Sequence, residues 1–210
     1  MNRTLIFTTL LCAGTLHASA QEKTDLAPAA TAPRLVLGSQ TGASLLFDKY
    51  SNRSYAVNPT AGISQNIFAR YYMGKHLALE GGINLTVYNK ETYTDYYYLE
   101  NSFQARNYDA RMISYEIPLQ LQYHLLNKES KLRPYFGVGV TVARDQYRIK
   151  HYDGATTSYT TNNSSIFFTQ GLTYQINNNW QLNQSFVVKS YGQNGISTGL
   201  MFGVGYSFNK

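Results

Sequence analysis

From Leu35 onward the chain alternates. Between His76 and Tyr88, one parity carries Leu77, Leu79, Gly81, Ile83, Leu85 and Val87; the other carries Ala78, Glu80, Gly82, Asn84, Thr86 and Tyr88. A period of two marks a strand whose faces meet different surroundings. Ser114–His124 repeats the pattern, with Tyr115, Ile117, Leu119, Leu121 and Tyr123 opposed to Glu116, Pro118, Gln120 and Gln122. Ile196–Phe208 does so again, with Gly199, Gly203 and Gly205 on the minor parity. Five less regular segments, Leu35–Phe47, Thr60–Tyr72, Tyr135–Arg144, Ile166–Ile176 and Trp180–Lys189, complete a set of eight. No helical period of any length interrupts them. An even number of strands, each near the roughly 9–11 residues that cross a bilayer at a tilt, predicts an all-β, eight-stranded antiparallel up-and-down transmembrane β-barrel.

The connections sharpen this expectation. Residues 48–59, 89–111 and 145–165 are long, whereas 74–76 and 177–179 are tight and 125–133 is intermediate. Only 191–195 is shorter than the alternation asks. Long loops on one side and short turns on the other are the layout of a membrane barrel. The minor parity supports it, because Glu, Gln, Asn, Ser and Gly make a poor greasy pocket and an undercharged solvent face. Turned inward, they suit a narrow lumen, with the apolar parity in lipid. Closure is then obligatory, since hydrocarbon satisfies no free backbone N–H or C=O.

Composition resolves an apparent contradiction. Mean hydropathy is slightly negative, yet the chain holds 19 Tyr and 10 Phe. Apolarity on alternate residues produces both. Aromatics near strand ends, namely Tyr71, Tyr72, Tyr88, Tyr115, Tyr123, Tyr135, Trp180, Tyr206 and Phe208, read as interface girdles. The N-terminus has a basic residue (Arg3), an apolar run from Leu5 to Leu16 and small residues at Ala18 and Ala20, in the order of an export signal. Residues 1–20 are expected to be removed by cleavage after Ala20. Residues 21–33 form a flexible periplasmic tail, and residues 34–210 the barrel. Cys12, the sole cysteine, leaves with the signal. Formal charge is +6, and loss of Arg3 leaves 17 basic against 12 acidic residues, or +5, scattered without a block. Export and this scatter argue against nucleic acid.

Candidate chemistry lies on the inward parity. A three-residue turn sets Met73 against Leu77 and Arg70 against Glu80. Glu116, His124 and Lys189 share the inward parity. Buried charges must be paired, so Arg70, Glu80, Glu116 and Lys189 are expected to form a polar network that fills the lumen. No catalytic, cofactor-binding or metal-binding residue is expected. His76, His124 and His151 lack ligand spacing, and Ser190 with His151 lacks a catalytic motif. Tyrosines between Tyr93 and Tyr108 make loops 89–111 and 145–165 candidate surfaces for a partner.

The segment Arg70-Tyr-Tyr-Met-Gly-Lys-His-Leu-Ala-Leu-Glu-Gly-Gly-Ile-Asn84 resembles the second hairpin of small outer-membrane β-barrels of the OmpA/OmpX-like "porin family", common in Bacteroidetes. Pro134–Thr141, Ile117–Gln120 and Gly203–Phe208 are similar to other strands of that family. The resemblance implies an outer-membrane location, surroundings of outer-membrane lipid and lipopolysaccharide, insertion by the barrel-assembly machinery, and no cofactor. Tyr206 and Phe208 match the family's aromatic assembly signal, although Asn209 and Lys210 follow where the aromatic is often terminal. The expected role is structural or surface interaction. A narrow porin-like channel, a barrel-type lipid-modifying enzyme and a soluble lipocalin-like binder are the alternatives.

Overall fold

The structure is a computed structural model that describes residues 35–48, 60–89, 91–99, 102–126, 130–151, 153–190 and 195–208. The expected signal at residues 1–20, cleavage at Ala20 and the tail at 21–33 lie outside the described residues. Nine strands are formed: β1 (Leu35–Asp48), β2 (Thr60–Tyr72), β3 (Leu77–Tyr88), β4 (Glu91–Leu99), β5 (Ser102–His124), β6 (Leu132–Lys150), β7 (Thr156–Gln175), β8 (Trp180–Ser190) and β9 (Gly195–Phe208). All pairings are antiparallel. Sheet order runs β3-β2-β1-β9-β8-β7-β6-β5-β4, and a β3–β5 pairing closes the ring. Eight strands therefore make the barrel. β4 stands outside the ring, paired with the first part of β5 from Glu91↔Ala110 to Leu99↔Ser102.

Short turns hold one end. The Met73 amide donates to the Leu77 carbonyl, and Arg70 stands opposite Glu80, the register that a three-residue turn dictates. Between β7 and β8, the Asn177 side-chain oxygen accepts from the Asn179 and Trp180 amides, a local bond for which asparagine is well suited in turns. The β3–β5 ladder is interrupted between Gly81↔Leu119 and Asn84↔Glu116, the stretch that contains Pro118, which has no N–H to donate.

Burial is inverted relative to a soluble protein. Ile83 and Ile117 are 65% and 67% exposed, whereas Arg70 and Glu116 are 0% and 1% exposed. On the outer wall of β5 and β6, Tyr123 faces Phe136, Leu121 faces Val138, Leu119 faces Val140 and Ile117 faces Val142. From Tyr123 to Tyr115 this band rises by about 20 Å, taking about 3.4 Å per residue and a tilt near 40°. Hydrocarbon is the medium in which such a wall is favourable.

Two expectations are corrected. Much of the long loops at 89–111 and 145–165 is strand, because β5, β6 and β7 run on past the apolar band. Past that band the outward row turns polar as well, so the hydropathy alternation disappears while the backbone pairing continues. Second, Tyr72, Tyr88 and Tyr135 are buried inside rather than in a girdle. Nearness to a strand end does not determine face; parity does. Three inward rings sit where the neighbouring strand carries glycine: Phe68 opposite Gly38, Tyr88 opposite Gly62 and Tyr135 opposite Gly171. A Cβ at Gly38 or Gly171 would occupy the space of the ring across from it.

The inversion predicts an asymmetric response to charge. Ile83→Arg, at mid-height on the outer wall, should destabilise the barrel by about 2–4 kcal/mol in urea unfolding from lipid vesicles. A neutral effect, as on a water-facing surface, would contradict the assignment of faces.

Candidate functional site

The barrel interior holds two ion pairs, one at each of two heights. In the lower layer, Arg70 leaves β2 and crosses the lumen. Its Nε donates to Glu80 Oε2 on β3 at 2.7 Å, and Nη2 lies 2.6 Å from the same oxygen. Nη1 donates to Thr173 Oγ1 on β7 and Asn183 Oδ1 on β8, both at 3.1 Å. Glu80 Oε1 accepts from Gln120 Nε2 on β5 at 2.6 Å. Five strands are tied through one guanidinium and one carboxylate. The flat faces of that guanidinium meet aromatic rings, with Phe68 and Tyr135 centroids at 5.2 and 5.3 Å. Ring quadrupoles attract a cation there, and the gain rises when water is absent.

The upper layer is built around Glu116 on β5. Lys189 on β8, itself partly exposed, reaches it across the lumen in an ion pair. Asn84 Nδ2 donates to Glu116 Oε2 at 2.9 Å, and Ser114 lends a longer bond to Oε1. Hydroxyls continue the chain, as Thr86 shares a bond with Ser64 and Ser64 with Ser44. Thus Arg70 and Glu80 form one group, Glu116 and Lys189 another.

Nearer the short turns lies Arg133 on β6, buried, which sequence reading left in a connection. Its Nη2 donates to Gln175 and Gln181, and its guanidinium stacks 5.0 Å from the Tyr72 centroid. His124 packs between Tyr72 and Tyr135, at 5.3 and 5.2 Å. Parity was the signal for Arg133, which shares the inward row of Gly137 and Gly139. Asn183 likewise shares the row of Lys189.

Other residues weighed for chemistry are not brought together. Ser190 stands opposite Ile166 on the outer wall, while His151 bonds Thr157. His76 contacts the His124 carbonyl oxygen and stacks on Tyr123. Among the described residues no group of three or more His, Cys, Asp or Glu could hold a metal ion. Outside, Trp180, Tyr206 and Phe208 form consecutive edge-to-face contacts at 5.2 and 5.1 Å, an aromatic cluster at the short-turn rim.

Removing one partner of a buried pair strands the other. Glu80→Ala should cost about 3–5 kcal/mol in urea unfolding from vesicles, whereas the double variant Arg70→Met/Glu80→Leu should recover most of it. An unchanged unfolding midpoint in Glu80→Ala would show that the pair does not bind these strands together.

The family model described as "Outer membrane protein beta-barrel domain" matches residues 8–208. No curated protein matches the sequence. Among solved structures, the chain is similar to Ail, the attachment invasion locus protein of Yersinia pestis, at 13% identity and a TM-score of 0.53, covering 84% of this chain and 99% of that one. Neisserial surface protein A (NspA) gives 16% identity and 0.53, over 83% and 97%. The N-terminal β-barrel domain of Pseudomonas aeruginosa OprF gives 14% and 0.51, over 85% and 100%. At such identities the likeness is one of fold.

Proposed function

The chain belongs to the outer membrane protein beta-barrel domain family, so its setting is the outer membrane, and from that premise we propose a closed anchor that displays a projecting sheet at the cell surface. The observation that carries the reading is the crossing of the lumen at two heights by ion pairs, Arg70–Glu80 buried and Lys189–Glu116 partly buried. An eight-stranded barrel is only wide enough for side chains to fill it. Two charge-paired layers in that space leave little room for a solute and fix the strands against one another. The barrel then serves as a rigid base rather than a conduit or an enzyme.

What the base carries is the strand extension. β4 and the upper parts of β5, β6 and β7 continue the wall beyond the apolar band. A surface partner would meet this sheet first. Export through residues 1–20 with cleavage after Ala20, and recognition of Tyr206 and Phe208 by the assembly machinery, belong to the same reading.

Planar-bilayer recordings test it. The wild-type protein should show no steady unitary conductance, and replacing residues 91–110 by a short turn should leave a heat-modifiable, folded barrel. A steady conductance in the wild type that survives Glu80→Ala would support a narrow channel instead.

A further inference from the structure

Between the Arg70–Glu80 layer and the short turns, the lumen holds a second guanidinium with no carboxylate of its own. Arg133 is 1% exposed. Its Nη2 donates to the side-chain oxygens of Gln175 and Gln181, at 3.3 and 3.4 Å, which carry no charge to balance it. Its Nε and Nη1 make no hydrogen bond. Glu80 is already engaged, its Oε2 by Arg70 and its Oε1 by Gln120. Among the described residues, the other inward carboxylates are Glu116 and Asp145, both in the upper lumen, where they hold Lys189 and Asn163.

Further buried donors without partners share this level. The Arg133 guanidinium stands 5.0 Å from the Tyr72 ring centroid, and the Tyr72 hydroxyl makes no hydrogen bond. His124 packs 5.3 Å from the same ring, with neither ring nitrogen bonded. Gln122 precedes it on the inward row of β5, opposite Ala78 on β3 and Gly137 on β6, and its amide nitrogen is unbonded as well. All four side chains are buried. Buried polar groups are ordinarily bonded, so a cluster of free donors around an unbalanced cation marks a binding site.

Charge and size together select the occupant. Water could satisfy the donors, but it would leave the guanidinium uncompensated, and an unpaired buried ion is costly. Eight strands enclose room for little more than side chains, which suits a spherical ion and not a sugar phosphate. We propose that Arg133, Tyr72, His124 and Gln122 bind a chloride-sized inorganic anion at the short-turn end of the lumen. Guanidinium, hydroxyl, imidazole and carboxamide groups can all donate, and one anion accepts from several at once. Arg133 is the second residue of β6, so the ion can exchange with water beyond the turns. The bound ion completes the polar filling of the lumen, and it is independent of whatever meets the projecting sheet.

Urea unfolding from phosphatidylcholine vesicles tests this, with sodium chloride exchanged for sodium gluconate at constant ionic strength. For the wild type, the unfolding constant should fall by up to about tenfold for each tenfold rise in chloride once the site saturates. Bromide should act as chloride does, and crystals grown in sodium bromide should show an anomalous difference peak beside Arg133. The variant Arg133→Met should lose the chloride response. Heat-modifiable gel mobility reports whether that variant has folded; if it has not, Gln122→Leu takes its place and should weaken the response. A wild-type midpoint equal in chloride and gluconate overturns the proposal: water then fills the site, and any bromide peak there is an adventitious ion only. An undiminished response in the folded variant also overturns it, as a general salt effect. Conductance by the wild type would end the closed-anchor reading without altering these readouts.

Discussion

A strand in hydrocarbon has no water to satisfy its peptide groups, so the ring of backbone hydrogen bonds closed between β3 and β5 governs everything else in this molecule. An open edge there would leave a row of donors and acceptors unsatisfied, each costing several kcal/mol. Closure fixes the number of strands, and that number fixes the width of the interior. The narrow interior then decides which side chains can be inside: glycine, serine, a few aromatics, and charges that find partners. The polar network is a consequence of the ring rather than an independent feature. The ladder between β3 and β5 also tolerates a local interruption around Pro118, where Gly81↔Leu119 and Asn84↔Glu116 on either side hold the strands together.

Most of the barrel was legible in the chain because lipid imposes a strong contrast between parities. The strands at 77–88 and 196–208 are written in that contrast, and the turn at 74–76 carries enough information to pair Arg70 with Glu80. Legibility failed where the contrast failed. Residues 102–112, 145–150 and 156–165 are in strands past the apolar band, where Thr, Asn, Arg and Tyr fall on both parities and no hydropathy period appears. Pairing to a neighbour keeps them extended, and pairing cannot be seen in a single segment.

The interior tells a similar story at finer scale. Parity assigned Glu116, His124 and Lys189 to the inside, and it would have assigned Arg133 had β6 been started three residues earlier. Which inward charges meet is another matter. Arg70 reaches Thr173 and Asn183, more than 100 residues away in sequence, and only barrel curvature brings those positions together. Likewise, whether a tyrosine lies in an outer girdle or against a guanidinium depends on one residue of offset, as Tyr71 and Tyr72 show on opposite sides of the same wall.

Alternation of faces forbids a strand from slipping by one residue, since that would exchange its lipid and lumen surfaces. It is indifferent to a slip of two. The glycine–aromatic neighbours remove that freedom. Two residues either way, Phe68 would meet Val36 or Gln40 in place of Gly38, and Tyr135 would meet Thr169 or Thr173 in place of Gly171. Each ring thus works as a key cut for one notch, selecting among alignments that the hydropathy pattern treats as equivalent.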